Sequence, residues 1–116
     1  MIRQGVRIAI VLVVVSACAT FKSGPPPAQL APTDVQLAQT RFPAATADTL
    51  ESGRQTFVAS CQKCHKLPLI SAWTEPQWQR ILPEMAGKAQ LDPVRTEQTL
   101  QFILTAHASI NNSAAQ

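Results

Sequence analysis

Cys61-Gln62-Lys63-Cys64-His65 is the stretch that decides how this chain is read. It is a C-x-x-C-H pentapeptide, the attachment pattern of a c-type haem. The order of residues follows the chemistry. Two thiols about one helical turn apart can each add to one of the two vinyl groups of the porphyrin. The imidazole that follows at once then lies under the ring and binds iron axially. The pattern therefore names Cys61 and Cys64 as covalent attachment points and His65 as the proximal ligand.

Three other readings compete for the same residues. A redox-active C-x-x-C does not require a histidine at that place, and no βαβ pattern surrounds it. A zinc site needs four ligands, and only His107 remains downstream to join Cys61, Cys64 and His65. A structural disulfide between cysteines this close closes a tiny loop and stabilises little.

Outward from the motif the periodicity is helical, and no segment alternates with period two. A first helix runs from about Thr46 or Asp48 to Ser60, with Leu50, Phe57 and Val58 apolar. A second begins at Thr74, where Thr74 and Gln77 fit a capping box and Pro76 is tolerated in the first turn. A third is capped by Asp92, starts with Pro93 and runs to about Ala108. Its Leu100, Ile103, Leu104 and His107 fall on one face. The expected fold is all-α, over a folded part spanning 47–110. Just over sixty residues are marginal for an independent core. Aromatics there are Phe57, Trp73, Trp78 and Phe102 alone. A large flat apolar cofactor would supply what such a domain lacks.

Farther out, the chain reads as an export segment and a tether. Arg3 and Arg7 precede an unbroken apolar run, Ile8 to Val15, and Ser16-Ala17 are small, so 1–17 reads as a signal peptide. The run is shorter than the ~18 apolar residues of a spanning helix. Val15-Ser16-Ala17-Cys18 resembles a bacterial lipobox, which makes Cys18 the lipidated first mature residue. Cleavage after Ala19 is the alternative, because Ala17-Cys18-Ala19 is also an A-x-A pattern. Residues 18–46, with Gly24-Pro25-Pro26-Pro27, Pro32 and Pro43, read as a lipidated N-terminus and flexible linker of ~30 Å root-mean-square span. A short helix around Val35–Thr40 is a weak signal within it. Residues 111–116 read as a disordered tail. The formal charge is +3, but Arg3 and Arg7 belong to the leader, leaving the remainder near neutral. Four scattered glycines form no phosphate loop, and no basic run marks a nucleic-acid footprint.

Over residues 49–108 the chain resembles the class I c-type cytochromes. Beside the pentapeptide, Gly53 and Phe57 stand at the family's G-x-x-x-aromatic spacing, where the first helix crosses the last. The resemblance implies that Gly53 lets those helices approach and that Phe57 packs on Leu100, Ile103 or Leu104. Trp78-Gln79-Arg80-Ile81-Leu82-Pro83-Glu84-Met85, followed by Leu91 and a final helix, is similar to a small single-haem subgroup carrying W-x-x-I-L-P-x-M. By the same resemblance, Pro68 offers a backbone carbonyl to the His65 Nδ1–H.

With Met1 lost in the leader, Met85 is the only methionine of the mature chain. On a helix from about Pro76, Trp78, Leu82 and Met85 share a face. Pro83 has no N–H for the carbonyl of Gln79. Met85 is the candidate distal ligand, His107 the other, and an open sixth position the third option. Trp73 or Trp78 either donates an indole N–H to a haem propionate or simply packs. Lys63, Lys66, Arg80 and Lys88 either ring the haem edge or are scattered solvated charge.

The expected function is electron transfer by one covalent haem c, without enzymatic bond chemistry. The expected setting is a periplasm-facing membrane lipoprotein, or alternatively a soluble periplasmic protein. Its partners would be redox proteins and, through the lipid, the membrane, with no nucleic acid. The chain would act as a monomer or as a subunit of a redox complex. The alternatives are a pentacoordinate haem that binds a gas or peroxide, and a haem subunit of a larger oxidoreductase.

Overall fold

A computed structural model describes residues 21–116. The leader read over 1–17 and the lipidation residue Cys18 lie outside the described residues. Four α-helices account for most of the described chain: α1 (Pro32–Arg41), α2 (Ala47–Cys61), α3 (Glu75–Lys88) and α4 (Pro93–Ala114). A single 3-10 turn spans Ile70–Ala72. The described part is all-α, with one isolated antiparallel bridge between Ser23 and Pro68. No helix among the described residues is long and apolar enough to cross a membrane.

The helix starts follow side chains that satisfy otherwise unpaired N–H groups. Thr46 caps α2 by accepting from the Thr49 N–H, while the Thr49 hydroxyl accepts from the Thr46 N–H at 2.9 Å. Thr74 and Gln77 make the same reciprocal box at α3. Asp92 Oδ1 accepts from the Arg95 N–H at 2.8 Å, with Pro93 in the first position of α4. The end of α3 is a Schellman arrangement. Leu91 N–H donates to Ala86 O at 2.9 Å and Gln90 N–H to Gly87 O at 3.2 Å. This turn holds Gln90 at φ 57°, a left-handed conformation usually given to glycine.

The core lies where α2, α3 and α4 meet. Phe57 and Phe102 are fully buried and their rings lie 6.2 Å apart. Each such side chain contributes ~1.5–3 kcal/mol through burial. Trp78, Leu82, Ile103 and Leu104 complete the cluster. Gly53 is the crossing point of α2 and α4. A Cβ there would stand 2.6 Å from the Gln98 carbonyl carbon and 2.9 Å from Phe102 Cβ. The close approach expected of Gly53 is present. Phe57 lies in one packed cluster with Ile103, Leu104 and Leu100, as expected, and also meets the Phe102 ring. Thr99 and Thr105, buried on α4, donate to the carbonyls of Arg95 and Gln101, so no hydroxyl is orphaned.

Two boundaries differ from the sequence reading. Much of the stretch read as flexible linker is ordered against the domain: α1 replaces the weak helical signal, and Ala38 and Ala45 are buried with Leu50. Asp34 explains much of this. Its carboxylate accepts from the Ala31 N–H at 2.9 Å and from the Ser109 hydroxyl at 2.7 Å, joining α1 to α4. Arg41 pairs with Glu75 at 2.7 Å, joining α1 to α3. At the other end, α4 runs on to Ala114, through most of the stretch read as a disordered tail. Residues 109–114 carry no glycine or proline to stop it.

Candidate haem site

The motif sits where α2 ends. Cys61 is the last helical residue, and Gln62 to Lys66 form the turn that follows. Cys64 therefore stands three residues beyond the helix end, in the bend that follows Cys61. Both are free, Cys61 half-buried and Cys64 exposed. Burial pushes the Cys61 thiol up to about 11, so it rests protonated. His65 follows on the exposed turn, and its Nδ1 lies 2.8 Å from the Lys66 carbonyl. A carbonyl only accepts, so the neutral ring carries its proton on Nδ1 and leaves the lone pair on Nε2. The sequence had assigned this carbonyl to Pro68. Here Lys66 takes that role, while the bridge between Ser23 and Pro68 is closed through Leu67 O and Leu69 N–H.

Cys61, Cys64, His65 and Met85 line one cavity of about 500 Å³. Its walls are mainly apolar, including Trp73, Ile81, Leu82 and Leu91. The volume falls within the ~300–1,000 Å³ range typical of cofactor and ligand pockets. Met85 reaches the cavity from α3, on the side chain face shared with Trp78 and Leu82. His107 is not among the lining residues. It sits half-buried on α4, with its Nδ1 3.3 Å from the Asn111 amide nitrogen. Among the described residues no three His, Cys, Asp or Glu side chains converge as a metal-ion cluster, so the Cys61, Cys64, His65 and His107 zinc set is not assembled.

The two tryptophans divide their roles. Trp78 is buried and donates its indole N–H to the Ile70 carbonyl at 2.9 Å. Its edge meets Phe57 and Trp73, with centroids 6.2 and 5.3 Å away. Trp78 is thus a packing residue that pins α3 to the 67–73 loop, and the propionate contact considered for it is not available. Trp73 stays half-buried on the cavity wall. Lys63 and Lys88 line the cavity and Lys66 adjoins it, whereas Arg80 is not a lining residue. Lys88 also pairs with Glu84 at 3.1 Å.

Two lining residues were not legible as such. Phe21, at the first described position, lies 5.2 Å from the His65 ring and 5.6 Å from Trp73. Nothing in the local sequence around Phe21 signals a contact forty-four positions away. Gln90 lines the cavity because the left-handed turn after α3 brings it there. Strained backbone of this kind often accompanies a functional site.

The donor set suits a c-type haem: two free thiols three residues apart, an imidazole with Nε2 available, and one thioether on the same apolar cavity. No protein family model, no curated protein and no solved structure matches this chain.

Proposed function

We propose that the chain is an exported electron carrier that holds one haem through thioethers to Cys61 and Cys64, with His65 and Met85 as axial ligands. The observation that carries this reading is that these four side chains line one apolar cavity while His107 stands outside it. When bound, the haem supplies one-electron redox chemistry at its iron.

Each residue has a defined part. His65 is oriented by the Lys66 carbonyl, which holds the proton on Nδ1 and leaves Nε2 to the metal. Met85 contributes a thioether, which favours the reduced metal and raises the potential. His65 and Met85 would together hold the iron of a bound haem from this chain, which would suit electron transfer without substrate binding. Trp73, Ile81, Leu82 and Leu91 make the cavity wall apolar. Low polarity there limits the solvent reorganisation that accompanies a change of charge. Phe57, Phe102 and Trp78 keep α2, α3 and α4 in register behind the site.

The test is optical. Purified protein should show the spectrum of a low-spin c-type haem, retained after acid-acetone extraction because the thioethers are covalent. Ferrous wild type should bind carbon monoxide poorly, and Met85→Ala should bind it readily and have a lower potential. Wild type that takes up carbon monoxide at once, with no change on mutating Met85, would replace the carrier by the gas-binding alternative.

A further inference from the structure

His65 stands on an exposed turn, and among the described residues its ring makes one hydrogen bond, from Nδ1 to the Lys66 carbonyl at 2.8 Å. A single bond of this kind fixes where Nδ1 sits and selects the tautomer. It leaves the plane of the ring able to swing about that atom. A second contact restrains the swing. The Phe21 ring lies against the imidazole with centroids 5.2 Å apart and planes inclined by 57°, within the range of packed aromatic pairs.

Phe21 is itself held from two directions. Its ring meets Trp73 at 5.6 Å, and Trp73 meets buried Trp78 at 5.3 Å. Trp78 is tied to the Ile70 carbonyl and packs on Phe57, so the contact on His65 is backed through to the core. The backbone of Phe21 opens a strap laid antiparallel beside the loop that follows the motif. Leu69 N–H donates to Lys22 O at 3.1 Å, and Gly24 N–H donates to Leu67 O at 3.2 Å, around the bridge of Ser23 and Pro68. Leu69 Cδ1 lies 2.7 Å from where a Cβ would stand on Gly24, in the space of the missing side chain. Alternation along the strap sends Phe21 to the cavity, whereas Lys22 is not a lining residue. The strap precedes the stretch 47–110 read as the haem domain. Cleavage before Cys18 and cleavage after Ala19 both leave Phe21 in the mature chain.

We propose that Phe21 is a positioning residue for His65: it sets the plane of the proximal imidazole, and the strap that carries it makes residues 21–24 part of the haem site. The proposal rests on the haem reading above and assigns a residue to it. The Lys66 carbonyl sets the tautomer of His65, and Phe21 sets the plane. Phe21 also presents apolar surface to one side of the ligand. Apolar surroundings disfavour the more highly charged ferric state and so raise the potential.

The plane of an axial imidazole governs the pattern of paramagnetic shifts of the haem methyl groups in the ferric protein. Haem-loaded wild type and Phe21→Ala are therefore compared by proton magnetic resonance and by redox titration. Phe21→Ala should redistribute the methyl shifts and lower the potential, with covalent haem content and helical circular dichroism unchanged. Phe21→Tyr should restore both, since the ring it replaces is 46% exposed and a hydroxyl can reach solvent. Packing alone would lower Tm and leave the methyl pattern where it was. Should Phe21→Ala load haem poorly, Phe21→Leu, which keeps apolar bulk without a ring, carries the same comparison with the same expectation. A wild-type methyl pattern in the variants that lack the ring, or a pattern that Phe21→Tyr does not restore, would overturn the proposal. Wild type without acid-stable haem removes the haem reading and this proposal with it, whereas retained haem with an unmoved pattern removes this proposal alone.

Discussion

Gly53→Ala tests the crossing on which the whole domain is built. An alanine Cβ would stand 2.6 Å from the Gln98 carbonyl carbon and 2.9 Å from Phe102 Cβ. Carbon atoms in good contact lie at about 3.5–4.0 Å. The obstacle at Gln98 is helix backbone, which has no rotamer to change, so α2 and α4 must part by about 1 Å. Overpacking of this kind costs about 1–3 kcal/mol, and the upper end applies here because neither helix can yield locally. Alanine in turn is about 1 kcal/mol better than glycine inside a helix. The net loss is about 2 kcal/mol, which for a domain of this size lowers Tm by roughly 8–16 °C. Thermal unfolding followed by far-ultraviolet circular dichroism on the haem-loaded protein measures it. Gly87→Ala is the internal reference: nothing lies within 4 Å of a Cβ there. It should gain about 0.4–1 kcal/mol and raise Tm by a few degrees. If Gly53→Ala also raises Tm, helix propensity outweighs contact and the two helices do not cross at Gly53.

Trp78→Phe should cost about 2–3 kcal/mol in chemical denaturation, since it leaves the Ile70 carbonyl without its buried donor and shrinks a packed ring. Gln90→Gly should raise Tm by a few degrees by relieving about 1 kcal/mol of left-handed strain at φ 57°. Arg54, donating to Glu51, holds that carboxyl down at about 2 from its ordinary 4.5. A folded value below the unfolded one means stabilisation that is present above about 4.5 and lost as pH falls toward about 2. Glu51→Gln should therefore be less stable than wild type by about 1 kcal/mol at neutral pH, the ceiling for a partly exposed pair. Denaturant midpoints of the two proteins should converge as the medium is acidified through that window.

The grouping of Cys61, Cys64 and His65 on one cavity was legible because it is local. Spacing along one turn sets where two thiols and an imidazole can stand, so Cys61, Cys64 and His65 needed no tertiary information. Helix starts were equally readable at Thr74 and Asp92, because a cap is satisfied by residues two or three positions away. What escaped the sequence depends on contacts across long separations. Residues 18–46 carry a linker's composition, yet α1 is held by Asp34 on Ser109 and Arg41 on Glu75, pairings that no local pattern announces. Trp78 could have faced a propionate or the interior, and the Ile70 carbonyl decided between them. Met85 and His107 were both placed on helix faces by periodicity. Only the packing of α3 and α4 separates them, bringing Met85 to the cavity and leaving His107 beside Asn111. Periodicity fixes which residues share a face, whereas the rotation of each helix is chosen by the side chains it meets, here Phe57, Phe102 and the bare backbone at Gly53.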